Sequence, residues 1–157
     1  MLLVIYGSLS LVSLSMYVYT KKNMNLVEIL LYWFWTSILG EDYMSIIYNN
    51  LKLIRPYSKL EVFWNTMCFH LLLHPIAMIW FLHFYLRCTR RWTQLLLIVF
   101  MVLFLSSLQL LRERFGEIDL SSWNMWWSLI LWFLFIVATL AVMKGFRWIK
   151  RREKHPV

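Results

Sequence analysis

Phe63–Leu86 reads FWNTMCFHLLLHPIAMIWFLHFYL, and the class of the protein turns on what solvates that stretch. A helix needs about 20 predominantly apolar residues to cross about 30 Å of hydrocarbon, and this run is long enough. It nonetheless carries His70, His74 and His83, and Pro75 interrupts it. Imidazoles at membrane depth are uncommon and call for a partner or a function.

The rest of the chain settles the solvent. Of 157 residues 61% are hydrophobic and 15% charged, against about 45–50% and about 25% in an average globular domain. Ten Trp, eight Tyr and eleven Phe suit the headgroup boundary, where amphipathic rings collect. The apolar runs are continuous rather than alternating with period two, which predicts helices and excludes a transmembrane barrel. The fold expected is all-α, an integral membrane bundle of about five transmembrane helices.

The spans are expected at about 2–20, 24–40, 63–86, 93–111 and 123–143. The first is retained rather than cleaved, because it has no basic residue ahead of it and no small-x-small site behind it. The second is the shortest. Asn23 or Asn25 would cap it, Glu28 lies one turn inside, and Gly40 is expected to stop it before Glu41 and Asp42. Residues 42–55 then place Tyr43, Ile47, Leu51 and Ile54 at spacings of three and four, the pattern of a helix lying in the interface. Thr93–Leu111 is the cleanest span. Its thirteen Leu, Ile, Val and Phe residues supply roughly −4 to −8 kcal/mol on the insertion scale. Arg112–Ser122 is a polar connector with Gly116 as its turn, and Ser121 or Ser122 is expected to cap the last helix. Residues 144–157 form a basic cytoplasmic tail that requires no fold of its own.

Charge gives the orientation. With five spans, Lys21, Lys22, Arg87, Arg90, Arg91, Lys144, Arg147, Lys150, Arg151, Arg152 and Lys154 share one side, eleven of the sixteen basic residues. Six of the eight acidic residues, Glu41, Asp42, Glu61, Glu113, Glu117 and Asp119, fall on the other. The positive-inside rule puts the N-terminus outside and the C-terminus in the cytoplasm. Because the net charge of +8 sits at the ends of apolar runs, it indicates anionic headgroups rather than nucleic acid. Cys68 and Cys88 lie on one predicted helix about 30 Å apart, too far to be bridged.

HLLLH puts His70 and His74 one turn apart on one face, a spacing that can chelate a divalent metal. A metal site needs a further ligand, and the outer carboxylates Glu41, Asp42, Glu113 and Glu117 are the candidates. Leu71 stands where a metalloprotease would have its glutamate. His83 is half a turn away on the wheel and faces elsewhere. The plainer reading has the histidines bonding to neighbouring helices near the carbonyl that Pro75 leaves without a donor. A second group, Glu113, Arg114, Glu117, Asp119, Ser122, Trp123, Asn124, Trp126 and Trp127, has the carboxylates and polar, aromatic rim to bind a cation or a headgroup, and reads more plainly as an aromatic belt with solvated loop charges. No nucleophile elbow, phosphate-cradling glycine loop, CxxC pair or internal repeat is visible, and nothing calls for a cofactor.

Pro75 in an aromatic-rich helix, a clean helix after it, and then Glu113, Gly116 and Trp123-Asn124-x-Trp126-Trp127-Ser128 form a pattern. It resembles a family of small uncharacterised multi-pass membrane proteins of Gram-positive spore-forming bacteria. The likeness covers roughly residues 63–143. It implies a bacterial cytoplasmic membrane and nothing about chemistry.

The function expected is that of a non-catalytic membrane protein, a structural or accessory component of a membrane assembly. Its partners would be the lipid bilayer and either other membrane-protein subunits or a second copy of itself. A second reading is a small transporter or channel-like subunit binding a proton or cation through His70 and His74 with Glu113 or Glu117. A third is a metal-dependent membrane enzyme using the same histidines.

Overall fold

The computed structural model describes residues 2–20, 24–51, 54–56, 60–121 and 123–154. Five helices fill almost all of them: α1 Leu2–Tyr19, α2 Leu26–Met44, α3 Leu60–Arg87, α4 Arg91–Arg114 and α5 Met125–Lys154. Three of these, α3, α4 and α5, are long and apolar enough to cross a membrane. α1 is apolar but shorter, and α2 carries Glu28, Glu41 and Asp42.

Side-chain contacts fix the directions. Tyr6 meets Phe69, the Trp80 indole donates to the Ser13 carbonyl, and Tyr17 meets His83, so α1 runs parallel to α3. α2 runs the other way. Its start holds Glu28 against Arg147 and Lys150 of α5, and its far end brings Gly40 against His70 and His74. The Trp132 indole donates to Gln109 Oε1 at 3.2 Å, tying the start of α5 to the end of α4. Successive helices therefore alternate in direction, as short connections require. Two short strands, β1 Arg55–Pro56 and β2 Ile118–Asp119, pair antiparallel in the register Arg55↔Asp119 and Pro56↔Ile118. They join the α2–α3 and α4–α5 connectors at one end of the bundle, the Arg112 end. The α3–α4 connector and the end of α5 lie at the other, the Glu28 end.

α3 is the packed axis. Its spanning window is 56% buried, against 28% in α4 and 33% in α5. One core joins Tyr32, Met78, Leu82, Leu105 and Ile136 through the middle, and a smaller one gathers Ile47, Tyr48, Ile54, Ile118 and Leu120 beneath the paired connectors. Outward, α4 exposes Leu96 and Phe100 at 68% and 64%. An apolar stripe of that kind would be a liability in water and is normal in lipid.

Several expectations are corrected. Gly40 does not end α2, which continues to Met44 and then into a π-helical stretch, Ser45–Asn50. The amphipathic run expected at 42–55 is thus largely an extension of α2 rather than a separate helix. Ile47 and Ile54 are buried under the connectors while Leu51 remains exposed. Ser121 does not cap α5 but donates its own N–H to Asp119, and Asn124 Oδ1 accepts from the Trp126 N–H at 3.1 Å. The basic tail is helical as far as Lys154, because Lys, Arg and Glu are good helix formers with nothing to break them. Asn25, not yet separated from Asn23 in the sequence, is the N-cap of α2. Gly116 does make its turn, at φ 66°. Lys21, Lys22, Asn23, Ser122 and residues 52–53 lie outside the described residues.

Candidate functional site

Pro75 shapes the site. It has no N–H to give the preceding turn and its ring crowds it. α3 accommodates this with a π-helical stretch at Phe69–Leu73, where the His74 N–H reaches back to the Phe69 carbonyl. Such bulges rotate the side chains that follow and recur at functional positions. Here the bulge holds His70, and His74 follows it directly. Both are 1% exposed, with ring centroids 6.3 Å apart. A methyl group built on Gly40 would lie 3.3 Å from His70 Nδ1 and 3.7 Å from His74 Nδ1. The glycine is therefore the close approach of α2 to α3, and its missing side chain is the space the two imidazoles use.

The residue that completes the cluster is Arg112, read from the sequence as a connector charge. It is 2% exposed. Its Nε donates to Glu117 Oε2 at 2.9 Å, its Nη2 to Thr66 Oγ1 at 2.7 Å, and its Nη1 lies 3.4 Å from His70 Nε2. A guanidinium has donors only, so His70 Nε2 is the acceptor in that contact. The guanidinium carbon also stands 4.8 Å from the Phe69 ring centroid. Tyr6 of α1 donates to the same Glu117 oxygen at 3.3 Å. One cation thus gathers α1, α3, α4 and the α4–α5 connector.

The surroundings are closed. A cavity of about 10 Å³, lined by His70, Gln109, Arg112, Tyr43 and Tyr48 among others, has room for one water. Burial raises the Tyr48 phenol above its ordinary pKa, which keeps it neutral beside the guanidinium. His74 packs on Phe135 and Trp132, with centroids at 4.7 and 5.5 Å, and neither of its ring nitrogens has a hydrogen-bond partner among the described residues.

Of the residues singled out in the sequence, the structure unites His70, His74 and Glu117, the last through Arg112 rather than directly. Glu113 is exposed and stands apart. His83, fully buried, packs on Tyr17 and Trp80, away from the pair as the wheel predicts. Among the described residues no three His, Cys, Asp or Glu side chains come together as a metal site would require. Cys68 and Cys88 are free thiols.

At the other end Glu28, 3% exposed, accepts from Arg147 at 3.1 Å and Lys150 at 3.2 Å, and from the backbone N–H of Asn25 at 3.3 Å. Two residues expected as topology anchors therefore also neutralise the one carboxylate that α2 buries there. Arg87, Arg90, Arg91, Arg151 and Arg152 are exposed at this same end.

No family model, curated protein or solved structure matches the chain.

Proposed function

We propose that the chain is a five-span integral membrane protein without catalytic activity, a structural or accessory component of a membrane assembly. The Arg112 end is outside and the Glu28 end cytoplasmic. Length and apolarity support three spans directly. α1 and α2 fall short on those measures, yet α1 meets α3 from Phe69 to His83, and α2 meets it at His70 and His74 while its start reaches Arg147 and Lys150 at the Glu28 end. Helices that pack along spanning neighbours at both ends share their depth, and the charges of α2 fit that placement. Glu28 has two cationic partners, and Glu41 and Asp42 lie at the far end. The exposed arginines at the Glu28 end support the cytoplasmic side for it under the positive-inside rule. Lipid surrounds the bundle, and other membrane subunits or a second copy of the chain are its protein partners. The resemblance described above favours a bacterial cytoplasmic membrane.

One observation carries the non-catalytic reading: the Arg112 guanidinium already stands against His70 Nε2. A metal ion or an added proton at that nitrogen would meet a buried positive charge. The cluster is better suited to holding helices in register than to carrying a cation, because polar bonds between helices are what lipid cannot compete for.

The test is reconstitution of the purified chain into liposomes under an imposed pH gradient. The expected result is proton flux no faster than in protein-free vesicles, with zinc and copper well below one per chain. Flux that disappears in His70→Gln and His74→Gln would establish the transporter reading instead.

A further inference from the structure

A second cavity lies at the Glu28 end, where the end of α3, the start of α4 and the last third of α5 meet. It is an open cleft of about 430 Å³, and its lining includes Gln94, Met143, Lys144, Arg147, Trp148 and Arg151. None of the described residues that line it is acidic. Arg147 is engaged by Glu28 at 3.1 Å, whereas Lys144 and Arg151 project from exposed positions about one turn before and one turn after it on the same helix. Trp148 stands between them, with the Arg152 guanidinium carbon 3.9 Å from its ring centroid. Gln94 belongs to the first turn of α4 and donates its side-chain amide to the Cys88 carbonyl at 2.8 Å, which fixes that corner. Arg90, the N-cap of α4, contributes no side-chain cap. The first N–H groups of α4 and the positive end of its dipole therefore add to the field at this end.

We infer that this cleft is a binding site for the phosphate headgroup of an anionic phospholipid of the cytoplasmic leaflet. The inference rests on the five-span reading, which puts the cleft at headgroup depth. Its volume lies within the ordinary range for a small-ligand site. Lys144 and Arg151 supply the charge, Trp148 the interfacial aromatic, and Met143 an apolar floor for the glycerol and the first methylenes. Basic recesses between helices on the cytoplasmic side are the general form of such sites. A soluble phosphate ester has the same charge but no acyl chain to lie along the bundle.

The test uses the full chain in detergent, titrated with phosphatidylglycerol or phosphatidylcholine and read by native mass spectrometry. Wild type is expected to hold phosphatidylglycerol in preference to phosphatidylcholine. Lys144→Gln with Arg151→Gln should weaken that lipid by about ten- to thirty-fold, at about 1 kcal/mol for each charge near the surface. A control pair on the neighbouring connector, Arg87→Gln with Arg90→Gln, should change it little. Equal retention of the two lipids, or equal losses in both variant pairs, would overturn the site. Displacement of the lipid by glycerol phosphate at the same concentration would assign the cleft to a soluble ester and overturn the lipid assignment. A chain that stays in the membrane fraction while failing these tests loses this site alone. One that leaves the membrane fraction loses the five-span reading as well.

Discussion

Replacing Arg112 by Gln would shorten the side chain, keep it polar, and remove the charge that Glu117 faces at 2.9 Å. The carboxylate, 1% exposed, would then be buried with Tyr6 as its remaining side-chain donor among the described residues. Breaking a buried pair from one side typically costs about 3–5 kcal/mol, whereas replacing both partners by apolar groups is often close to neutral. Arg112→Gln is therefore expected to lower stability by an amount in that range. Arg112→Leu with Glu117→Leu should recover most of the loss, as measured by denaturant unfolding in detergent. If the double variant is as damaged as the single one, the pair does more than balance charge. The role of Arg112 was not legible in the sequence, where a basic residue at the end of an apolar run reads as a solvated anchor. Its i+5 carboxylate across a glycine turn was the available signal, since Gly116 folds Glu117 back onto the last turn of α4. The histidines were legible as a pair on one face because spacing alone determines that. The partner of His70 came from another helix, which spacing does not report.

At the level of the helices, α2 is where the reading of the sequence and the structure part most. Glycine with two acidic residues after it has the chemistry of a helix stop, yet Gly40 lies inside α2 because the imidazoles of α3 need the space. Tertiary packing overrode the local signal. The π-helical stretch before Pro75 was equally invisible: proline announces a disturbance, not the form it takes. Gly40→Ala separates the two contributions. Alanine gains about 1 kcal/mol of helix propensity, but its methyl would press on His70 Nδ1 at 3.3 Å. In the wild-type background the substitution is expected to destabilise. In a His70→Ala background it should become neutral or stabilising, a coupling of about 1 kcal/mol or more in a double-mutant cycle. Additive effects would mean that α2 and α3 do not meet through this contact.

For the whole molecule, the helical class of fold was legible because long continuous apolar runs bounded by charge satisfy their backbone within themselves only as helices. Three of the expected spans reappear as helices long and apolar enough to cross a membrane. The alternating directions and the joined connectors at the Arg112 end agree with the side-to-side distribution of basic and acidic residues. What composition could not supply is the depth of α2, whose acidic residues lower its hydropathy while Arg147 and Lys150 of a distant helix neutralise one of them. The decisive measurement is therefore the sidedness of the two ends of α2. In a chain with Cys68 and Cys88 replaced by Ser, Thr20→Cys and Asp42→Cys are labelled separately with a membrane-impermeant maleimide. Five spans with the Arg112 end outside predict labelling of Asp42→Cys in intact cells and of Thr20→Cys only after permeabilisation. Labelling of both from the same side would show that α2 does not cross.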